Sequence, residues 1–527
     1  MSLTKNLSAL RKYALLSSIS RRLLARRFSD SCPKKGLVLG VYRSEGEDPK
    51  LTPTAERFNE RVGGRLCEMI REVGDTYKGK GKGNVFNNLD PEFFSVCVVE
   101  IGKEGAGYDL LENIDEGREN VRVAAATGVT RLRKEDLGHI AVEDMGYAQE
   151  AAEGASLAAW QYQEYKNKCY RKIVPTLELF ESCDTDGWTR GLYLADAQNL
   201  ARRLSEAPSN AMTPTSFAQA AADVLCPCGI NVDVRDRCWL EKNHMDLFLH
   251  IARGSCESPV LLEINYCGGD SEDKPILLVG KGTTFDAGGL YLKRDDPALD
   301  EHRADMAGAA MVIAIIRAAS LLSLPINLCS VLCLCENMPS GMACKPGDII
   351  FSRNGIAVAI RNPDAEGRVC MAEAMEYGQK LFKPRIVIDI ATAHRGIPSL
   401  LGDGAAAVWS NSRQLWKQVH RAGAITGDRC WRMPLWKTFK DKVVGCESVD
   451  CVNEVEENGD PCYQASFLHE FIPCADWLHF DITGVGMLAH DIAFPYYRYG
   501  KMTGRPTRTI IQLLYQLSCP GATLKCK

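Results

Sequence analysis

Short apolar runs alternate with polar, glycine- and proline-rich clusters along most of this chain. Residues 36–42 and 94–101 are apolar and rich in β-branched side chains, which predicts two strands. The stretch GRENVRVAAATGV predicts a helix ending near Gly128, and residues 148–165, rich in Ala, Glu and Gln, predict a long one. From about Trp188 two helical segments follow, separated by the turn cluster Pro208-Ser209-Asn210. Thr213-Pro214 then suits a helix start. Strands are predicted at 260–264, 276–279, 327–335 and 386–390, with helical patterns between several of them. Strands alternating with helices imply a largely parallel or mixed sheet covered on both faces. The fold class is α/β in two domains: a small α/β domain over 32–172, and a larger C-terminal domain over 173–527 with a mixed sheet flanked by helices.

Length and composition agree with two domains. The chain has 527 residues, long for one domain, and 46% are hydrophobic, enough for a full core. A net charge of −4 gives no reason to expect nucleic acid as a partner. No uninterrupted apolar run reaches the roughly 20 residues that a membrane span needs. Residues 1–29 carry Lys5, Arg11, Lys12, Arg21, Arg22, Arg26 and Arg27, many Ser and Leu, and no acid. That profile predicts a mitochondrial transit peptide over 1–31; a basic tail on a cytoplasmic protein is the alternative. In either compartment the 22 cysteines are expected to be mostly reduced. Cys226-Pro227-Cys228 and Cys333-Leu334-Cys335 are CxC pairs rather than the CxxC pairs of zinc modules, and the second sits in an apolar run that reads as core.

The chemistry concentrates in two stretches. In the first, the apolar run 276–279 leads into a turn at Gly280-Lys281-Gly282, then Asp286, Gly288-Gly289 and Lys293, with Asp305 before an Ala/Gly-rich helical pattern. The ends of α/β strands are where such folds hold their sites. In the second, Asp364, Glu366 and Arg368 are spaced two apart, which puts their side chains on one side if the chain is extended. Carboxylates brought together repel unless a cation or proton lies between them. Asp286, Asp305, Asp364 and Glu366 therefore favour divalent metal, and two ions bridged by shared carboxylates. A P-loop reading of GKGTT fails, because the position five before the Gly-Lys pair is Pro275. The nine histidines are scattered without a metal motif, and His479 reads as a core histidine near a strand end.

These stretches carry a resemblance. VGKGTTFDAGG, HRADMAGAA, LCENMPSG (334–341), NPDAEGR and MTGRPTRT (502–509) resemble the leucyl aminopeptidase family of two-metal exopeptidases, and the likeness runs from about Val85 onward. The resemblance implies a catalytic C-terminal domain joined to the N-terminal one by a long helix, placed at 148–172. It implies one divalent ion held by Asp286, Asp364 and Glu366 and a second held by Lys281, Asp286, Asp305 and Glu366. A ligating lysine must be the neutral amine, and a dication can displace its proton. Zn²⁺, Mn²⁺ and Mg²⁺ all suit such oxygen ligands with one amine. Lys293 is implied as the electrophile facing the oxyanion. Arg368 is implied to hold a bicarbonate ion that serves as general base. Peptides with a free N-terminus are the implied substrates, and a homohexamer the implied assembly.

The surroundings depart from the family pattern. Ala287 stands where serine is usual, Pro363 where threonine is usual, and one residue is inserted between Lys293 and Asp305. The specificity pocket, formed by His302, Thr392, Arg395 and Gln464, differs most. His394 and Arg395 replace a threonine and a glycine, and Tyr463 and Gln464 replace small residues. Burying an unpaired arginine costs several kcal/mol, so the pocket is filled, opened to water or adapted to an acidic side chain; alternatively Arg395 swings out to solvent. Three readings follow. The first is an active mitochondrial metalloaminopeptidase with altered side-chain preference. The second is a catalytically weak paralogue serving as a structural protein of mitochondria, as in insect sperm. The third is a peptide- or DNA-binding regulator on the same fold, which the net charge and the basic leader oppose.

Overall fold

The computed structural model describes residues 34–43, 49–77, 79–293, 298–455, 458–487 and 494–518. The leader expected over 1–31 lies outside these residues.

Among the described residues the N-terminal part builds a six-stranded sheet in the order Gly83–Asn87, Phe93–Glu100, Lys35–Tyr42, His139–Glu143, Thr176–Phe180, with Lys50–Leu51 beside Lys35–Tyr42. The predicted strands at 36–42 and 94–101 are two of its central members. Both faces of Lys35–Tyr42 are buried, so it reads as a continuous apolar run. The helix predicted to end near Gly128 spans Glu116–Leu132, with Asp115 accepting a hydrogen bond from the Arg118 N–H as its cap.

The link between domains differs from expectation. The helix of 148–172 stops at Ala159. Trp160 turns extended, and the Arg202 guanidinium lies 4.1 Å over its ring, a contact that favours leaving the helix path. The chain then runs on to Thr176–Phe180, which pairs in parallel with His139–Glu143. The N-terminal sheet thus takes a strand from beyond residue 172.

The C-terminal part is built on a nine-stranded mixed sheet. Its order is Cys430–Arg432, Ala406–Ser410, Asp476–Asp481, Ile386–Ala391, Ile276–Gly280, Asn327–Asn337, Val260–Cys267, Asn231–Arg235, with Gly282–Asp286 also on Asn327–Asn337. All four predicted strands are present, and the central ones, Asp476–Asp481, Ile386–Ala391, Ile276–Gly280 and Asn327–Asn337, are mutually parallel. The two predicted helices before them span Thr185–Glu206 and Pro214–Leu225, the second capped by Thr213 as its Thr-Pro start predicts. Cys333 and Cys335 are buried in strand Asn327–Asn337, and among the described residues the cysteines are free thiols.

One segment, Leu299–Leu321, is long and apolar enough by length and composition alone to cross a membrane, although charged residues at 300, 301, 303 and 305 interrupt its apolar run. It is a core element: its helical part Ala307–Leu321 packs against the sheet and against Thr185–Glu206, and 83% of its most apolar window is buried. Its all-round apolar character reflects burial on several sides.

The two domains meet across buried charge. Arg508, on helix Thr507–Ser518, pairs with Glu153 of the N-terminal helix Ala148–Ala159 and with Asp428. Arg122 also pairs with Glu153, and with Glu119, while Arg505 pairs with Asp428. All six are buried.

Candidate metal centre

The sequence stretches predicted to carry the chemistry converge at the carboxyl end of the central parallel strands. Gly280-Lys281-Gly282 is not the turn expected. Ile276–Gly280 and Gly282–Asp286 both run parallel to Asn327–Asn337, with Val279 opposite Val331 and Gly282 opposite Leu334 in one register that shifts only between Thr283 and Phe285. Lys281 interrupts the ladder. Its N–H donates to Ile390 O and its carbonyl accepts from the Ala309 N–H, both at 2.9 Å. The backbone is pinned between a strand and a helix start, and the side chain points into the site. Its Nζ lies 2.5 Å from Asp305 Oδ2 and 3.1 Å from Glu366 Oε1, and donates to Thr392 O at 3.3 Å. A Cβ on Gly367 would come within 2.2 Å of Lys281 Cε, so only glycine lets the lysine lie there.

Asp286 closes the strand. Its Oδ1 accepts from Gly288 N–H at 2.9 Å and Asn337 Nδ2 at 2.8 Å, and its Oδ2 lies 2.8 Å from Lys293 Nζ. The chain turns back through Gly288, at φ 88°, where a side chain would also meet Tyr291 O. Asp305 follows the 3₁₀ turn Leu299–Ala304, and its Oδ1 accepts from the Thr392 hydroxyl.

Residues 364–368 are not extended. Pro363–Ala365 forms a 3₁₀ turn and Glu366 begins the helix Glu366–Phe382. The proline sets the first turn, and the Asn362 side chain accepts from the Asp364 N–H at 2.8 Å. Asp364, Glu366 and Arg368 therefore point differently. Glu366 is fully buried among the carboxylates, Asp364 is partly exposed and reaches the cluster through Lys293, and Arg368 faces another helix.

Ligand oxygens of Asp286, Asp305 and Glu366 lie within 4.8 Å of one another. Burial, then repulsion from Asp286, pushes the Glu366 carboxyl up to about 7. Burial would depress Lys281, but Asp305, Glu366 and Asp286 outweigh it and hold the ammonium above its ordinary value. Four carboxylates face two lysines here, and Glu366 Oε2 is buried without a hydrogen-bond partner. An excess of negative charge and an unpaired carboxylate oxygen in a closed site fit divalent cations held by hard oxygen donors.

Two contributors were missed in the sequence. The Thr283 hydroxyl donates to Glu366 Oε1 at 2.9 Å, and Asn337 holds both Asp286 and Pro363 O. Asn337 lies within LCENMPSG, so the motif itself was the available signal.

Of the residues expected at the pocket, His302 and Arg395 meet. Thr392 faces Asp305, and Gln464 turns to Arg368. Arg395 is exposed, with Nη2 at 3.3 Å from His302 Nε2, so the solvent-facing alternative holds and no burial cost arises. His479 is a core histidine, buried against Asp389. Elsewhere, His250, Cys344 and Asp348 also converge. There Asp348 already accepts from His250 Nε2 at 2.8 Å and Lys345 N–H at 2.9 Å, and burial pushes the Cys344 thiol up to about 12. That trio is a satisfied hydrogen-bond hub.

The bicarbonate implied at Arg368 does not fit. Arg368 Nη1 donates to Asn453 O at 2.8 Å and Nη2 to Gln464 Oε1 at 2.9 Å, and Asp460 Oδ1 lies 3.8 Å away. The guanidinium is already engaged and faces a carboxylate of this chain.

Comparisons with known proteins agree with the cluster. Residues 199–511 match the catalytic-domain model of the cytosol aminopeptidase family, and residues 38–169 match its N-terminal-domain model. The chain is 42% identical over 514 residues to a cytosol aminopeptidase of Sus scrofa, covering 95% of this chain and 97% of that protein. It is 41% identical to one of Homo sapiens, covering 96% and 98%. Among solved structures it resembles the bottromycin maturation enzyme BotP, with TM-score 0.78, 26% identity, and 92% and 99% of the two chains covered. A structure of that enzyme in complex with Mn aligns with TM-score 0.76 at 25% identity. With the carboxylate–lysine cluster at its centre, the chain belongs to the cytosol aminopeptidase family, a family of divalent-metal-dependent peptidases.

Proposed function

We propose that this chain is a two-metal aminopeptidase that releases N-terminal residues from peptides, with Lys281, Asp286, Asp305, Asp364 and Glu366 as its metal ligands. The observation that carries the reading is the convergence of Asp286, Asp305 and Glu366 oxygens beside an unpaired Glu366 Oε2. Divalent ions bound there would polarise the scissile carbonyl and activate water. The chain's own residues set the geometry. Thr283 and Lys281 orient Glu366, Thr392 orients Asp305, and Asn337 and the Gly288 N–H orient Asp286. Lys293, between Asp286 and the more open Asp364, is the ammonium assigned to face negative charge developing on the substrate.

Zn²⁺ and Mn²⁺ are the favoured ions, with Mg²⁺ also compatible. Arg395 stands exposed beside His302, which supports a pocket left free for uncharged N-terminal side chains such as leucine. The basic, acid-free residues 1–29 support a mitochondrial destination. The family resemblance supports a homohexamer, which light scattering measures.

The test is hydrolysis of leucyl, arginyl, glutamyl and aspartyl amides, and of an N-acetylated control, by the chain with and without Mn²⁺ or Zn²⁺. Metal-dependent release from free N-termini, and none from the acetylated substrate, is expected. Bound metal without turnover on any substrate would overturn the reading in favour of a structural paralogue.

A further inference from the structure

Arg368 lies two residues beyond Glu366 on the same helix, on a different face, where its guanidinium meets the helix Asp460–Glu470. We propose that Gln464 and Asp460 take the place of an exogenous anion at Arg368, so that turnover at this centre is independent of bicarbonate. The inference rests on the two-metal reading.

Three observations converge on it. The first is hydrogen bonding. Both terminal nitrogens of Arg368 donate to acceptors of this chain, the Asn453 carbonyl and the Gln464 amide oxygen. Gln464 is 3% exposed, so an incoming anion has to displace a buried amide and leave it without that partner.

The second is shape. The carboxamide of Gln464 is a planar trigonal group presenting an sp² oxygen, as a bicarbonate would. It reaches Arg368 from the helix Asp460–Glu470, whose packing fixes its position.

The third is charge. Asp460 opens that same helix, and its Oδ1 lies 3.8 Å from Arg368 Nη1 with no hydrogen-bond partner of its own. Its other oxygen accepts from His394 Nε2. His394 Nδ1 accepts from the Gly396 N–H at 2.8 Å, which places the proton on Nε2. Asp460 is therefore held as a carboxylate by His394, and gives the buried guanidinium a counter-charge. A second anion at Arg368 would face Asp460 at close range, and like charges in a closed site repel strongly. Gln464, Asp460 and His394 act as positioning residues through Arg368.

The experiment compares the wild-type chain, Gln464→Ala and Arg368→Ala in carbon dioxide-depleted buffer, with ¹³C-bicarbonate as the probe. Binding is read by NMR, and aminopeptidase turnover by amide hydrolysis. The wild type is expected to show no bicarbonate binding that Arg368→Ala abolishes, and its turnover is expected to change less than about twofold on adding bicarbonate. Gln464→Ala, with the amide gone, is expected to bind bicarbonate in an Arg368-dependent way. Its turnover in depleted buffer should fall about tenfold, the weight of one charge-assisted hydrogen bond, and recover with the anion. Arg368-dependent bicarbonate binding by the wild type, or wild-type turnover restored severalfold by bicarbonate, would overturn the inference. The wild-type arm stands even if Gln464→Ala fails to fold. The NMR readout stands if the chain lacks turnover, so failure of the aminopeptidase reading is distinguishable from failure of this one.

Discussion

Glu153 and Glu366 are both fully buried, yet their surroundings have opposite character. Glu153, at the domain interface, is bracketed by Arg122 and Arg508. Burial works against its charge, but the two arginines hold its carboxyl below the ordinary range. In that network Arg122, Arg505 and Arg508 face Glu119, Glu153 and Asp428, so the charges balance. Glu366 has Asp286 and Asp305 as neighbours, one lysine contact, and an oxygen with no hydrogen-bond partner. Its carboxyl is pushed up to about 7. One cluster is complete from the chain's own residues and joins the domains. The other has more carboxylates than ammonium groups, which supports reading it as the functional site.

The same substitution should therefore have opposite consequences. Glu366→Gln keeps the shape and removes the charge. It should lower metal-dependent kcat by on the order of a thousandfold, about 4 kcal/mol, and reduce bound metal measured by elemental analysis. In the metal-free chain it should leave the melting temperature equal or higher. Glu153→Gln strips a partner from two buried arginines, and should destabilise by about 3 kcal/mol in denaturant titrations. An equal loss of stability in both variants would erase the comparison.

Metal itself sharpens it further. Mn²⁺ or Zn²⁺ at a hundredfold over its Kd should stabilise the wild type by about 2.7 kcal/mol per site, and Glu366→Gln by much less. The effect appears as a rise in melting temperature by calorimetry.

Next in size is the pH dependence. A glutamate in the unfolded chain titrates near about 4.3, whereas folded Glu366 titrates at about 7. Between these values the native carboxyl keeps a proton that the unfolded one has lost. Its contribution to metal-free stability should fall as pH rises through that window, and level off above it. Glu153 has the opposite sign: its stabilisation is present above the ordinary carboxylate range and is lost as pH falls through its lowered value. Glu366→Gln should flatten the first slope and leave the second. The smallest effect is expected from Arg395→Gly. Because Arg395 is exposed, turnover on leucyl, glutamyl and aspartyl substrates should each change less than about threefold. A large gain on leucyl substrates would show that the arginine obstructs the pocket.

Much of this was legible in the residues, for physical reasons. Apolar runs bounded by turn clusters located three of the four central strands and the neighbouring Val260–Cys267, because strands buried on both faces have no polar face to hide them. The motif stretches located all five proposed ligands. What failed depended on geometry that short windows do not contain. Gly280-Lys281-Gly282 looks like a turn, but register with Asn327–Asn337 carries the chain straight on. Asp364, Glu366 and Arg368 looked extended, whereas Pro363 starts a 3₁₀ turn and a helix. The helix over 148–172 ends early where Trp160 meets Arg202, a contact between residues far apart in sequence.

The central claim is that the unbalanced cluster is a two-metal catalytic centre. Its most direct test is metal content and turnover measured on one sample of wild type, before and after chelation, alongside Glu366→Gln. The account predicts two divalent ions per wild-type chain, release of N-terminal residues that disappears on chelation and returns with Mn²⁺ or Zn²⁺, and neither property in Glu366→Gln. Turnover that survives complete chelation, or full metal content in Glu366→Gln, would contradict it.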